Sequence, residues 1–301
     1  MIDRISSLGI LVDDLDESQR LFRSTLGFEA LPVNSNNLLG SRVVDMYSGN
    51  HSYLRLIEKG QSNETSQVIH GKVGPGPCMI TFEADDYEDA VGRFISCGIY
   101  QVSASEGSED TFALFKHRDL NDVLIEVRKT GYIETLGDRE YVSAGSPTAI
   151  RTMGLRQVAI LVNDIESAIA KWSEVFQTKV TNRFETSFTD LDIAILPIGD
   201  KTTFIEIAQP TSGNTSAAHF LRDHGEGIYL TIYQIGDSLA LDDSLSGEGV
   251  NFTTSRSTAN YTNMGFNSIW IHPKFMDGMF IQLSEVLSPE NPWPPAGENW
   301  Y

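Results

Sequence analysis

The sequence predicts an α+β chain of four βαβββ units arranged as two tandem domains. Two observations carry this. The stretch Ser7-Leu8-Gly9-Ile10-Leu11-Val12-Asp13-Asp14-Leu15 returns as Gln157-Val158-Ala159-Ile160-Leu161-Val162-Asn163-Asp164-Ile165, an offset of 150, and Met79 to Asp86 returns as Leu230 to Asp237, an offset of 151. A repeat of that length means two homologous domains, since solenoid units are far shorter. Each half also twice shows a strand of β-formers, an acidic helix cap, an apolar helical stripe and further strands. At 301 residues the chain holds two domains of ordinary size.

Ile5 to Val12 reads as the first strand. Asp14 then caps a helix, with Glu17 three residues on. Leu15, Leu21, Phe22 and Leu26 follow at helical spacing, and Gly27 ends the helix. Phe28 to Pro32, Arg42 to Tyr47 and Tyr53 to Glu58 complete the first unit. The second has strand Cys78 to Ala84, a cap at Asp86, a helix through Tyr87, Ala90, Val91, Phe94 and Ile95, and strands near Ile99 to Ser103, Thr111 to Lys116 and Val123 to Arg128. The third has a helix from Asp164 to Phe176 and strands near Val180 to Glu185, Asp192 to Leu196 and Thr203 to Ala208. A short helix, Ser216 to Arg222, precedes the fourth, whose helix after Asp237 is weakened by interspersed Asp and Ser. Strands Ile228 to Ile235, Asn267 to His272 and Met279 to Glu285 make up the rest. The resulting division is 1–132 and 154–287 as domains, 133–153 as a turn-rich connection, and 288–301 as a tail. With four prolines and two tryptophans, the tail is expected to lie extended on the body of the protein.

A net charge of −19 and a pI near 4.6 argue against nucleic acid and anionic membrane surfaces as partners. Apolar residues make up 41% and mean hydropathy is −0.18, with no run long enough to span a bilayer. The opening MIDRISS lacks a signal-peptide pattern, and Cys78 and Cys97 have no metal or redox spacing. A reduced, cytoplasmic setting is the expectation.

Four βαβββ units in two pairs resemble the vicinal oxygen chelate superfamily, which includes glyoxalase I, methylmalonyl-CoA epimerase, extradiol dioxygenases and bleomycin-resistance proteins. Three stretches carry the likeness: the strand-then-Asp openings at Gly9 to Leu15 and Ala159 to Ile165; His224-Gly225-Glu226-Gly227-Ile228; and Ile271-His272-Pro273-Lys274 with Asp277-Gly278 and Ile281-Gln282-Leu283. The latter two are similar to epimerase-like members. The resemblance implies that each domain is a cup-shaped mixed sheet, and it leaves the reaction open, because one scaffold hosts many chemistries.

Metal-using members of the superfamily present His, Glu or Gln, His and Glu in each cup. The matching positions here are Ser7, Arg55, Met79 and Glu126 in the first cup, and Gln157, Glu206, Leu230 and Gln282 in the second. None is histidine, so no metal and no cofactor are expected. Alternation supports the placement: in Thr203 to Ala208, Glu206 shares a face with Phe204 and lies opposite Ile205 and Ile207.

Arg55 and Glu126 lie across the first cup and admit two readings: a salt bridge filling a lost metal site, or an arginine clamp for a substrate carboxylate. Ser7 lines that cup. In the second cup Glu206 has no evident cation. Either it is an acid/base group with a raised pKa, helped by Gln157, Gln282 and Tyr229 holding a substrate carbonyl or enolate, or it is satisfied by the two glutamines. Phe204 lines the cavity, and His219 either swings over its mouth or lies on the surface.

Three functions compete. The preferred one is metal-independent acid/base chemistry (isomerisation, elimination or a lyase reaction) on a small, partly apolar carbonyl or aromatic compound. The others are a non-catalytic small-molecule binding or sequestering protein, and a metal-dependent dioxygenase or epimerase with displaced ligands. The chain is expected to be a monomer or a homodimer.

Overall fold

The computed structural model describes residues 1–31, 34–36, 41–59, 74–105, 111–131, 152–186, 189–255, 265–298 and 300–301. Most of the expected connection lies outside these residues.

The first half comprises β1 (Arg4–Val12), α1 (Leu15–Leu26), β2 (Glu29–Ala30), β3 (Asn34–Asn36), β4 (Ser41–Gly49), β5 (Ser52–Glu58), β6 (Gly76–Ala84), α2 (Tyr87–Ser96), β7 (Gln101–Ser105), β8 (Phe112–Lys116) and β9 (Leu124–Lys129). The second comprises β10 (Leu155–Leu161), α3 (Ile165–Phe176), β11 (Asn182–Thr186), β12 (Leu191–Pro197), β13 (Phe204–Pro210), α4 (Ser216–His224), β14 (Gly227–Ile235), α5 (Ser238–Gly247), β15 (Phe252–Ser255), β16 (Phe266–Ile271) and β17 (Phe280–Val286).

The helix starts follow from their caps. Asp14, Asp86 and Asp164 each accept the backbone N–H three residues on, and Asp237 accepts two. That double cap explains why the weakly patterned α5 forms, with Leu241 and Leu245 buried and Leu239 left exposed. Gly27 ends α1 in the left-handed conformation, at φ 69°. Among the described residues 28–31 the strand is Glu29–Ala30, and β15 lacks a sequence signal because its Phe-Thr-Thr-Ser has a single apolar residue to mark it.

The two sheets have the same topology. One runs β2-β4-β5-β1-β6-β9-β8-β7, with β3 on β4; the other runs β11-β12-β13-β10-β14-β17-β16-β15. In both, an antiparallel pair, β1–β6 or β10–β14, joins two units at the centre, and each of these strands has a parallel neighbour outside. The repeat extends to irregularities. Both central pairs slip register twice, leaving Ser6 and Cys78 as the extra residues in the first sheet, and Arg156 and Tyr229 in the second. A bulge re-aims side chains, and here it does so at equivalent points of the two cups.

One face of each sheet carries the helices. Their apolar stripes merge into a single core through both domains, where Phe28 meets Tyr233 at 5.2 Å and Phe82 meets Phe176 at 4.6 Å. The other face of each sheet has its own cluster: Leu11, Val43, Ile57, Met79, Phe112, Leu114 and Leu124 in the first, and Leu161, Ile195, Phe204, Ala208 and Ile232 among those in the second. These separate faces are the interiors of the two cups. Within the His224-Gly225-Glu226-Gly227 motif, Glu226 is a structural tie. It accepts from Asn163 and from Asn121, whose own amide oxygen receives the Trp172 indole N–H at 2.9 Å.

The Asp277-Gly278 turn meets the first domain. Gly278 has φ +77°, and a Cβ there would sit 2.3 Å from the Pro75 carbonyl oxygen. Gly98 has nearly the same φ, +78°, but faces open space. Gly278→Ala should therefore cost clearly more than Gly98→Ala, whose cost of roughly 1 kcal/mol is conformational only. Chemical denaturation of the two variants measures the difference, and equal losses would mean that the turn gives way freely. Among the described residues, no helix is long and apolar enough to cross a membrane.

Candidate functional site

The first cup is filled by its own charges. Arg55, on β5, gives Nε and Nη2 to the two oxygens of Asp45, on β4, at 2.8 and 3.2 Å, and Nη1 to Glu126, on β9, at 2.8 Å. Arg128 and Thr81 also donate to Glu126, each at 2.8 Å. Arg4 pairs with fully buried Glu83 next to this network. Among the described residues, three arginines thus face three carboxylates on this sheet face. Burial alone would raise Glu126, yet Arg128 and Arg55 hold it at about 2. Burial pushes the neighbouring Tyr53 up to about 12.

Of the two readings of Arg55, this geometry is the salt bridge. The guanidinium fork that a substrate carboxylate would need is closed on Asp45, and Glu126 accepts from three donors, so the geometry favours the salt bridge over the clamp. Asp45, Thr81 and Arg128 escaped the sequence reading, although Thr81 and Arg128 lie on the same alternating face as Met79 and Glu126. Ser7 is buried, and its hydroxyl finds no partner among the described residues.

The second cup is different. Glu206, on β13, is 5% exposed, and its Oε2 accepts the side-chain N–H of Gln157, on β10. Among the described residues, no basic group pairs with it. Burial raises its pKa to about 7, the bond from Gln157 pulling the other way. Tyr229 sits on the β14 bulge, so it and Leu230 both face the cup. Its ring meets Phe220 and Phe280 at 5.1 and 5.5 Å, and burial together with the charge of Glu206 raises its hydroxyl to about 12. A neutral phenol and a carboxylate near its titration midpoint therefore share one apolar cup.

The other expected members divide. Gln282 does not reach Glu206. Its amide N–H groups go to Ser268 and Ser284, each at 3.0 Å, and its oxygen takes the Trp270 indole N–H at 3.0 Å. Glu206 is thus satisfied by one glutamine, not two. Phe204 lies beneath the tail, with Trp300 edge-on at 4.8 Å and the Arg156 guanidinium 5.9 Å from its ring. His219 is exposed. On α4 the residues turned to the cup are Ala217, Phe220 and Leu221, and a residue two positions from Ala217 points to the opposite side of a helix. This placement favours the surface reading of His219.

The strongest feature missed from sequence is the tail. It does lie on the body, but its Trp293 is buried inside the second cup and donates its indole N–H to Gln157 Oε1 at 2.9 Å. The Arg156 guanidinium stacks 5.2 Å from the Trp293 ring. No periodicity marks a two-tryptophan tail as part of a cup.

A metal of the kind the fold family uses does not fit these residues. The first cup places a paired guanidinium at a ligand position. The second offers one carboxylate, and both glutamine oxygens already accept indole N–H groups. Among the described residues, no group of three His, Cys, Asp or Glu side chains is placed to hold a metal ion. Strand register also puts Thr81 and Ile232, rather than Met79 and Leu230, level with Ser7 and Gln157; none of the four is a strong ligand.

Residues 156–266 match the family model of the Glyoxalase/Bleomycin resistance protein/Dioxygenase superfamily. No curated protein sequence matches the chain. Among solved structures, a triple mutant of 4-hydroxymandelate synthase from Streptomyces coelicolor superposes with a TM-score of 0.73 at 16% identity, over 95% of this chain and 93% of that one. The Mn(II)-bound glyoxalase from Novosphingobium aromaticivorans gives 0.63 at 11%, over 95% and 83%. BphC, a halotolerant catechol dioxygenase, gives 0.62 at 14%, over 95% and 87%. At these identities the likeness is one of fold. Residues 156–266 thus match the glyoxalase/bleomycin resistance/dioxygenase superfamily model, and both halves of the chain carry the vicinal oxygen chelate fold.

Proposed function

We propose that the second cup is a metal-independent acid/base site for a small, partly apolar carbonyl or aromatic compound. The observation that carries this is Glu206: a buried carboxylate with no cationic partner among the described residues, raised to about 7. A group with its midpoint near neutrality serves as both base and acid. Glu206 takes a proton from the carbon next to a carbonyl, and the neutral Tyr229 hydroxyl donates a hydrogen bond to the enolate oxygen that develops. Return of the proton to another carbon gives isomerisation, and loss of a β-substituent gives elimination.

The test is proton exchange in D2O. Carbonyl compounds found to bind by ligand-observed NMR are incubated with the protein, and loss of their α-C–H signals is followed with and without chelator. The expected result is exchange that a chelator leaves unchanged and that Glu206→Gln removes while binding persists. Binding without exchange would instead make this a sequestering protein. Exchange abolished by chelator would establish a metal enzyme.

A further inference from the structure

Resting on the reading of Glu206 as the acid/base group, we propose that Trp293 of the C-terminal tail is its positioning residue: the indole N–H locks the Gln157 amide so that its NH2, and not its carbonyl, faces the carboxylate. An indole N–H only donates, so the Gln157 atom 2.9 Å from it must be the oxygen. The amide is planar, and its other end, turned to Glu206 Oε2, is then the donor. Trp293 is 1% exposed and Gln157 2%, so water does not compete for either bond.

The tail is held so that this geometry persists. Asn182 donates to the Pro295 carbonyl at 2.9 Å and Lys201 to the Trp300 carbonyl at 3.0 Å. The side-chain oxygen of Asn291 accepts both the Trp293 backbone N–H and the Trp300 indole N–H at 3.0 Å, while its NH2 donates to the Gly297 carbonyl at 2.8 Å. Arg156, the bulge residue of β10, covers the Trp293 ring. The first cup has nothing comparable: Ser7 stands where Gln157 does, and it has no amide to orient.

The consequence is a choice of protonation state. A donor facing Glu206 favours the ionised carboxylate and offsets part of the cost of burial. Without the indole the amide is free to turn over, and its carbonyl then accepts from the protonated acid, which favours the neutral form. The tail therefore keeps Glu206 ionisable at neutral pH.

The test is a pH titration of the full-length protein by NMR. Glu206 is followed through its side-chain carboxyl carbon, assigned with Glu206→Gln. In Trp293→Phe, which keeps a ring but loses the N–H, the Glu206 midpoint should rise by about half a unit or more. In the wild type, the Trp293 indole resonance should move with the same midpoint as Glu206, while the indole of Trp172, bound to Asn121 in the other domain, stays still. A folded Trp293→Phe with an unchanged midpoint overturns the proposal. If that variant does not fold, a wild-type Trp293 indole that does not move through the Glu206 midpoint overturns it equally. Both readouts are independent of turnover. A relay that titrates as described, in a protein whose exchange activity survives Glu206→Gln, would remove the proposed function alone.

Discussion

Arg55→Met should destabilise the protein by about 3–5 kcal/mol while leaving any ligand binding in the second cup intact. The substitution strips Asp45 of the guanidinium that meets both its oxygens, and removes one of two cationic partners of Glu126. All four side chains in this chain of charges are buried, so water is poorly placed to replace the lost partner. Removing the stranded carboxylate as well, in Arg55→Met with Asp45→Asn, should recover part of the loss, and the recovered fraction measures the coupling.

The pH profile should change too. Glu126 is held at about 2, below its unfolded range near 4.5. Its contribution is therefore fully present above pH 4.5 and is lost as pH falls through 2. In Arg55→Met its pKa rises, so acid unfolding should begin at higher pH. Denaturation curves against pH provide the check. A loss below about 1 kcal/mol would mean that the network does not hold the first cup together.

Glu206→Gln should have the opposite stability signature and the largest effect on activity. The Glu206 pKa is about 7 in the folded protein against about 4.5 unfolded. The folded state therefore binds the proton more tightly, and stability from this group is complete below pH 4.5, falls as pH rises, and is lost by pH 7. The linkage amounts to roughly 3 kcal/mol across that window. Glutamine does not ionise. The stability of the variant minus that of the wild type should accordingly climb between pH 4.5 and 7 and then level off. The same substitution should lower proton-exchange turnover by roughly 10²- to 10⁴-fold, the usual worth of a general base. A variant that is more stable at pH 8 yet inert would show directly that a buried charge is kept for function at the expense of stability.

Much of this was legible in the sequence, for identifiable reasons. The 150-residue offset implies two domains with matching topology, and it holds even at the bulges, where Arg156 and Tyr229 of the second sheet correspond to Ser6 and Cys78 of the first. Alternation in β13 and β9 turned Glu206 and Glu126 into the cups. Acidic caps located the helices. What could not be read was lateral: which neighbour each polar group would meet. Asp45 reaches Arg55 only through β4–β5 register, where the two stand directly opposite. Gln282 is expected beside Glu206 but is taken by Ser268 and Trp270 on β16 and by Ser284 two residues along its own strand. His219 lies on the exposed side of α4, which its position in sequence does not reveal. Trp293 reaches Gln157 from 136 residues away. No local pattern encodes such a contact, although it fixes the orientation of the residue that touches the central carboxylate.

The account rests on a carboxylate that ionises near neutrality inside the second cup. The direct measurement is the carboxyl-carbon titration of wild-type Glu206, identified by the resonance that Glu206→Gln removes. A midpoint near 7 is the predicted result. A midpoint at or below about 5, in the ordinary range for an exposed glutamate, would contradict it.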